Sequence, residues 1–490
     1  MYRASLVACL WLVGCGGGSD PDPDPDPDPT QDPITTSDPT IPTETLAADL
    51  EIGKISLYQG VESVLWSEGP PDTQQTPVIA ERGGLLRVFV RPRDGFEARR
   101  IQGVLTVSNE GADDLVIEAA TQISGASTDE DLDSTLNFDL EPEQISLSTE
   151  LSIELHEANE DGPGGGVEAD TTWDSSVALD SGLPTAASDD VTVVIIPIQY
   201  DADGTGRTPD TSQAHLDEIH DLMFSTYPAK SITIRVGDPL PWSSPISALN
   251  VFAFFNLLGA ITDLRDQADE PPNTYYYGMF NPTDDFYDYC GDLGCVLGIS
   301  NPGVNPANAS LRASVGVGYP EHAASTLVHE VGHAHGRFHA PCGGAAGADP
   351  NYPHTDGVIG TWGYDLLNGV LKDPIENTDI MGYCSPQWVS NYTFYSLWER
   401  IDELRDQRRA APRRVARLWI DGAGHTRIGG SVEVADPAGG TRVSVTLRNK
   451  DGAPAGAAPG WLYPSDHLPG GMVLLDRELP EGWTAEVHAP

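Results

Sequence analysis

His329-Glu330-Val331-Gly332-His333-Ala334-His335-Gly336-Arg337-Phe338-His339 reads H-E-x-x-H-x-x-G-x-x-H. Residues four apart share one face of a helix, so His329 and His333 present two ring nitrogens to a single point. Glu330, one position on, reaches a water bound there. A third ligand cannot continue the same helix and still face that point. Gly336 permits the positive φ that ends a helix and turns the chain back, and His339 then closes the site from the far side. Three protein ligands with a fourth position left for water is the ligand count of a hydrolytic rather than a structural zinc site. A bare H-E-x-x-H arises on many polar helix faces; five fixed positions do so far less often.

Downstream, Asp379-Ile380-Met381-Gly382-Tyr383 places a methionine after the third histidine, in the order a methionine turn requires. Through His329, Glu330, His333, Gly336, His339 and Met381, the stretch from about 190 to 410 resembles the metzincin clan of zinc metallopeptidases. The resemblance implies an α/β catalytic domain split by a cleft. It implies one Zn2+ held by His329, His333 and His339, with Met381 as the floor beneath it. The implied reaction is hydrolysis of a peptide bond, with Glu330 as general base on the zinc-bound water. Two metzincin subfamilies carry a tyrosine two residues after the methionine. Tyr383 stands at that offset and is a candidate to touch zinc or steady the oxyanion, with core packing beside Cys384 as the alternative.

Ala340 follows the third histidine, where the better-known subfamilies carry an acidic residue or serine. His339-Ala340-Pro341-Cys342 is similar instead to bacterial secreted or surface metzincins, relatives of the mucin-cleaving group among them. Extracellular proteins or glycoproteins are the substrates this implies. Two other readings stand beside it. A surface adhesin with a non-catalytic metal helix would have no need of the intact Glu330. A zinc hydrolase of non-peptide bonds is admitted by the motif.

The chain has 490 residues, enough for two to three domains. Its 74 acidic against 27 basic residues, a net charge of −47, would repel phosphate and exclude a nucleic-acid partner. Such surplus acid is more often solvated surface than a metal site; Ca2+ is admitted by it but has no support in the sequence. Residues 1–15 read as a lipoprotein-type signal: Arg3 supplies the positive start and Ala4–Val13 a short apolar run. Leu12-Val13-Gly14-Cys15 resembles a bacterial lipobox, which implies lipidation of Cys15. The expected locations are the bacterial cell surface or outer membrane, as a lipoprotein, or secretion, with membrane contact only through that anchor. Residues 16–45 form an Asp-Pro linker whose alternating prolines and like charges keep it extended.

The expected architecture is multidomain. An all-β, immunoglobulin-like sandwich spans 46–160, on alternating runs such as Leu85–Arg91 and Val104–Val107. Residues 161–188 read as a linker, 189–411 as the zinc metallopeptidase domain and 412–490 as a small C-terminal β domain. The sandwich shows no site and reads as a spacer. Within 189–411, Val191–Ile198 reads as a buried strand, Gln213–Phe224 as an amphipathic helix and Ala248–Ile261 as a buried helix too short to span a membrane. Ala313–Tyr319 is expected as the edge strand of the cleft, where an extended peptide can add. Tyr392–Arg409 reads as a closing helix with intramolecular arginine pairs.

Cys290, Cys295, Cys342 and Cys384 remain after the signal and suggest two disulfides in an exported chain. Three connectivities are open; Cys290–Cys295 with Cys342–Cys384 is favoured, the second tying the chain after His339 to the methionine turn. No cysteine between Cys15 and residue 189 offers a cysteine-based latency device. His335 reads as a neighbour of the site or an exposed residue, His322 as a non-ligand at the helix start, and His354 is unassigned. A monomer is expected.

Overall fold

The structure is a computed structural model and describes residues 45–68, 76–159, 162–180, 182–247, 250–291, 295–303, 305–405 and 412–488. The expected signal with Cys15 and the Asp20–Pro29 tract lie outside the described residues. The fold is β-rich and multidomain, with several sheets and few long helices.

Two four-stranded antiparallel sheets face each other at the N-terminal end. One runs Glu62–Ser67, Leu50–Tyr58, Gly84–Pro92, Leu136–Leu140; the other Leu115–Ile123, Arg99–Ser108, Glu150–Glu157, Thr172–Asp174. Their inner faces bury Ile55, Val88, Leu105, Phe138 and Ile153 in one core. Two expectations change here. Gly84–Val90 is buried continuously rather than alternately. Its outer side is covered as well, because Tyr58 and Leu85 pack against Tyr364 of the short strand Gly363–Asp365, remote in sequence, and a strand covered on both faces loses its polar alternation. Within 161–188, expected as a linker, Thr172–Asp174 joins the second sheet and Trp173 enters the core.

The central sheet runs Ile232–Val236, Val191–Tyr200, Thr274–Phe280, Ala313–Val317, Gly298–Ser300. The first four strands are parallel and the last is antiparallel. Parallel neighbours need crossover segments, which here place helices on both faces. Gln213–Thr226 and Pro320–Ala334 cover one face, and Val251–Gln267 the other. Val191–Tyr200 lies between these layers, which is why its sequence is a nearly unbroken apolar run. Ala313–Val317 is therefore not the edge strand expected of it. The chain first lays down Gly298–Ser300, then turns back to pair Ile299 with Val315, and Gly298–Ser300 forms the rim.

The C-terminal end is a six-stranded antiparallel sheet in the order Thr426–Val434, Arg413–Asp421, Gly470–Leu475, Pro454–Pro464, Thr441–Arg448, Thr484–His488. It packs on the helix Val251–Gln267: Phe255 stacks on Trp419 with ring centres 4.9 Å apart, and Arg417 pairs with Asp263 at 3.0 Å. The closing helix Asn391–Arg405 pairs Arg400 with Glu403 and Arg405 with Asp402 along its own surface. Among the described residues no helix is long and apolar enough to cross a membrane.

Candidate metal centre

The motif lies on the helix Pro320–Ala334, which begins with proline in its first turn, where a missing N–H costs nothing. His335 caps it and Gly336 follows at φ +87°, the conformation that reverses the chain. His329 and His333 sit one turn apart on a buried face, and the returning chain brings His339 to them. The Nε2 of His333 lies 3.1 Å from that of His329 and 3.2 Å from that of His339.

What holds each ring decides what those nitrogens are. His329 Nδ1 meets the Ile380 carbonyl at 2.8 Å, His333 Nδ1 the Arg337 carbonyl at 2.7 Å, and His339 Nδ1 the Ala346 carbonyl at 2.6 Å. A carbonyl oxygen only accepts, so each Nδ1 carries the proton and each Nε2 presents a bare lone pair. Burial, first of all, keeps the three rings neutral: His329 and His333 are held well below the ordinary histidine value and His339 is pushed down to about 4. Bare lone pairs facing one another at hydrogen-bond distance repel. A cation at their centre removes the conflict, so the donor set fits a metal ion.

Glu330 is buried against the same cluster, and desolvation raises its carboxyl above the usual range despite a nearby imidazole. Its Oε2 has no hydrogen-bond partner. Gly298 of the rim strand makes room for it: a Cβ there would meet Glu330 Cγ at 2.7 Å.

The methionine turn lies directly under the helix. A Cβ on Gly332 would meet Met381 Sδ at 2.5 Å. Asp379 shapes the turn, accepting from Met381 N at 2.8 Å and from Ser390 N at 2.9 Å. Cys342 and Cys384 are disulfide-bonded, with Cα atoms 5.7 Å apart, and this bond and the Ala340 N–H donated to Met381 O tie the third histidine to the turn. Cys290 and Cys295 form the second disulfide. Tyr383 places its hydroxyl 3.1 Å from His339 Nε2, and burial raises its pKa.

The other motif-region histidines are elsewhere. His335 is fully buried and not exposed; its ring stacks on Tyr275 at 4.2 Å and its Nδ1 donates back to Val331 O. His322 packs against Phe286 with ring centres 3.9 Å apart and planes tilted by 45°, and His354 pairs with Asn391 Oδ1 at 2.8 Å.

One residue at the centre was invisible to the motif. His467, from the turn between Pro454–Pro464 and Gly470–Leu475, reaches into the cluster, and the ligand atoms of His329, His333, His339 and His467 all lie within 4.8 Å of one another. Its Nδ1 is 2.5 Å from the Tyr383 hydroxyl and its Nε2 is 3.1 Å from Glu330 Oε1. Asp466 beside it is raised to about 7 by burial. The only signal in the sequence is a Ser-Asp-His step in a turn bounded by Pro464 and Pro469, with no spacing that relates it to the helix.

A cavity of about 460 Å³ adjoins the cluster, between Val296–Gly298 on one side and Gly382–Gln387 on the other, with His322, Glu330 and His467 in its wall.

The model of the peptidase M66 family matches residues 311–387, a stretch that contains His329, Glu330, His333, His339 and Met381. No curated protein matches the chain. Among solved structures, a chain described as "Structure of a chaperone-substrate complex" is similar at 13% identity and a TM-score of 0.24. That match covers 55% of this chain and 39% of the other, so this chain spans about two fifths of that one's length. The family match and the buried histidine cluster support a metallopeptidase.

Proposed function

We propose that the protein is a zinc endopeptidase of metzincin type acting on extracellular proteins or glycoproteins. The observation that carries this reading is the set of three bare Nε2 lone pairs converging on one point, each fixed by a backbone carbonyl behind it. Imidazole donors suit zinc, and His329, His333 and His339 are the residues that would hold it. Bound there, zinc supplies a Lewis acid and lowers the pKa of its water to about 7.

The chain's own groups supply the rest. Glu330 lies on the cavity side of the cluster, and a carboxyl whose pKa is raised by burial is suited to take a proton near neutral pH and return it to a leaving amine. Tyr383, its hydroxyl beside His339 Nε2, is positioned to donate to a developing oxyanion. The rim strand Gly298–Ser300 is the edge of the central sheet, so an extended peptide can pair along it. Met381 and the Cys342–Cys384 bond keep the third histidine registered with the helix.

In this reading the N-terminal sandwich and the C-terminal sheet flank a peptidase domain at about 189–411, and export with a lipid at Cys15 places the enzyme at the cell surface. Metal analysis and cleavage of a protein and glycoprotein panel test it, with wild type, Glu330→Ala and chelated enzyme compared. The reading requires one zinc per chain, and cleavage that is lost in the variant and on chelation. Equal cleavage by wild type and Glu330→Ala would sink it.

A further inference from the structure

We propose that His467 is a fourth protein ligand of the metal, so that the C-terminal sheet closes the coordination sphere and the conformation described is a latent form of the site. The inference rests on the metallopeptidase reading above and concerns how that site is controlled.

The four imidazole rings stand at the corners of a nearly regular tetrahedron. Ring centres are separated by 4.7 Å for His329–His333, His333–His339 and His339–His467, by 5.2 Å for His329–His467 and His333–His467, and by 5.3 Å for His329–His339. His467 thus occupies the corner that a three-histidine site leaves to water. Four nitrogen ligands in a tetrahedron are a closed set for zinc, the arrangement of a site that holds metal without turning over substrate.

The hydrogen bonds around the ring agree. The Tyr383 hydroxyl lies between His339 Nε2 and His467 Nδ1. His339 Nε2 has one lone pair, which faces the metal position, so the hydrogen bond that the hydroxyl oxygen is placed to make is with His467 at 2.5 Å, accepting from its Nδ1–H. That tautomer leaves His467 Nε2 bare as well. It is buried, and its nearest acceptor is the Glu330 carboxylate, with Oε1 at 3.1 Å. A fourth imidazole whose ligand atom lies within 4.8 Å of those of the other three is accounted for by a metal they share.

The turn that delivers His467 is built to hold it there. Leu468, the next residue, is buried in the core shared by the C-terminal sheet and the central sheet, and Tyr463 at the other end joins the same core. Ser465 N donates to Gly470 O at 3.0 Å and closes the turn. Gly470 is at φ +115°, and a Cβ there would fall 2.0 Å from Ile420 O, so only glycine allows the turn to come this close.

The same turn divides the surface. His467 lines the cavity along Val296–Gly298, whereas Ser465 and Asp466 line a second cavity, of about 500 Å³, beside Phe338 and Ala346. The two cavities share no lining residue. A peptide that passes the metal from one to the other crosses the position of Asp466 and His467, and cleavage requires this turn to withdraw.

Metal spectroscopy on the whole protein tests the assignment without depending on activity. X-ray absorption of the wild-type zinc protein is expected to count four imidazole nitrogens, and the cobalt(II) form to keep its visible spectrum when azide is added. His467→Ala is expected to bind zinc roughly tenfold or more weakly in chelator competition, to give a cobalt spectrum that azide shifts, and to cleave protein substrates faster than wild type. Three imidazoles in the wild-type protein would overturn the proposal, and that measurement needs no variant to fold. Unchanged zinc affinity in His467→Ala, or slower cleavage with affinity unchanged, would also overturn it. Cleavage by His467→Ala, and its loss when Glu330→Ala is added to that variant, decides the peptidase reading separately, since a four-imidazole wild-type site with no cleavage by His467→Ala would refute that reading and leave the ligand assignment intact.

Discussion

His329 donates its Nδ1–H to the carbonyl of Ile380 at 2.8 Å, so the first motif histidine is oriented by the methionine turn and not by its own helix. The turn in turn depends on Asp379. Its buried carboxylate accepts from Met381 N and Ser390 N and fixes the backbone on both sides of the turn. Asp379→Ala leaves both of these buried N–H groups without a partner, at about 1–3 kcal/mol each. Chemical denaturation of the variant is expected to show a loss of roughly 2–6 kcal/mol. Zinc affinity should fall with it, because the carbonyl that holds His329 moves. Wild-type stability with wild-type metal affinity would show that the turn is held by something else.

Gly332 lies between the two helix histidines, and its missing side chain is where Met381 Sδ fits. Gly332→Ala pushes a methyl group into that sulfur at 2.5 Å. Overpacking of this kind costs about 1–3 kcal/mol, although alanine is the better helix former by about 1 kcal/mol. The net expectation is a lower melting temperature together with weaker metal binding, since Met381 and Ile380 move as one turn. Gly125→Ala is the control: no atom lies within 4 Å of its Cβ position, so a change within about 0.5 kcal/mol is expected.

These two residues mark the limit of what the chain discloses as a string. Helical spacing places His329 and His333 on one face, the glycine turn returns His339, and the apolar runs Val191–Ile198 and Ala248–Ile261 point to what the structure shows as the strand Val191–Tyr200 and the helix Val251–Gln267. Each of these follows from periodicity or backbone chemistry acting over a few residues. The rim strand Gly298–Ser300 is three residues long and carries no pattern to read. Leu85–Arg91 reads as alternating, yet Gly84–Val90 is buried throughout, because what covers its outer face, Tyr364, is remote in sequence. His467 is the extreme case. It stands 128 positions beyond His339, and only the packing of the C-terminal sheet on the helix Val251–Gln267 carries it to the centre.

Glu157 gives a pH test remote from the metal. Its side chain is 2% exposed. Burial raises its pKa, but two contacts to Arg99, at 2.7 and 2.8 Å, and one from Ala48 N, at 2.9 Å, outweigh this and hold it below the usual carboxylate range. A group depressed in the folded state contributes stability above its unfolded pKa of about 4.3 and loses it as pH falls through the folded value. Glu157→Gln is therefore expected to destabilise the N-terminal sandwich at pH 7. The gap to wild type should narrow as pH falls below about 4. Urea unfolding of both proteins across that range checks it; a gap that is constant with pH would show that the carboxylate charge contributes nothing.

The N-terminal sandwich does more than space the chain. Val61 and Ile79 are buried in the same core as Val193, Leu327 and Val331 of the central layer. Gly60 O accepts from Trp388 Nε1 at 2.7 Å and from Tyr364 N at 3.0 Å, and Arg82 donates to Ala229 O at 2.8 Å. A fragment that begins at residue 189 loses those two apolar side chains from its core, about 1.5–3 kcal/mol each, and leaves the Trp388 indole N–H and the Tyr364 amide without their acceptor. Set against typical net stabilities of about 5–15 kcal/mol, that is a large share. The fragment 189–490 is expected to unfold at a much lower temperature than 45–490, or to aggregate, and to bind zinc more weakly because Trp388 closes the segment that follows the methionine turn. Calorimetry and zinc titration of the two fragments decide it. A 189–490 fragment as stable as the longer chain would return the sandwich to the role of a spacer.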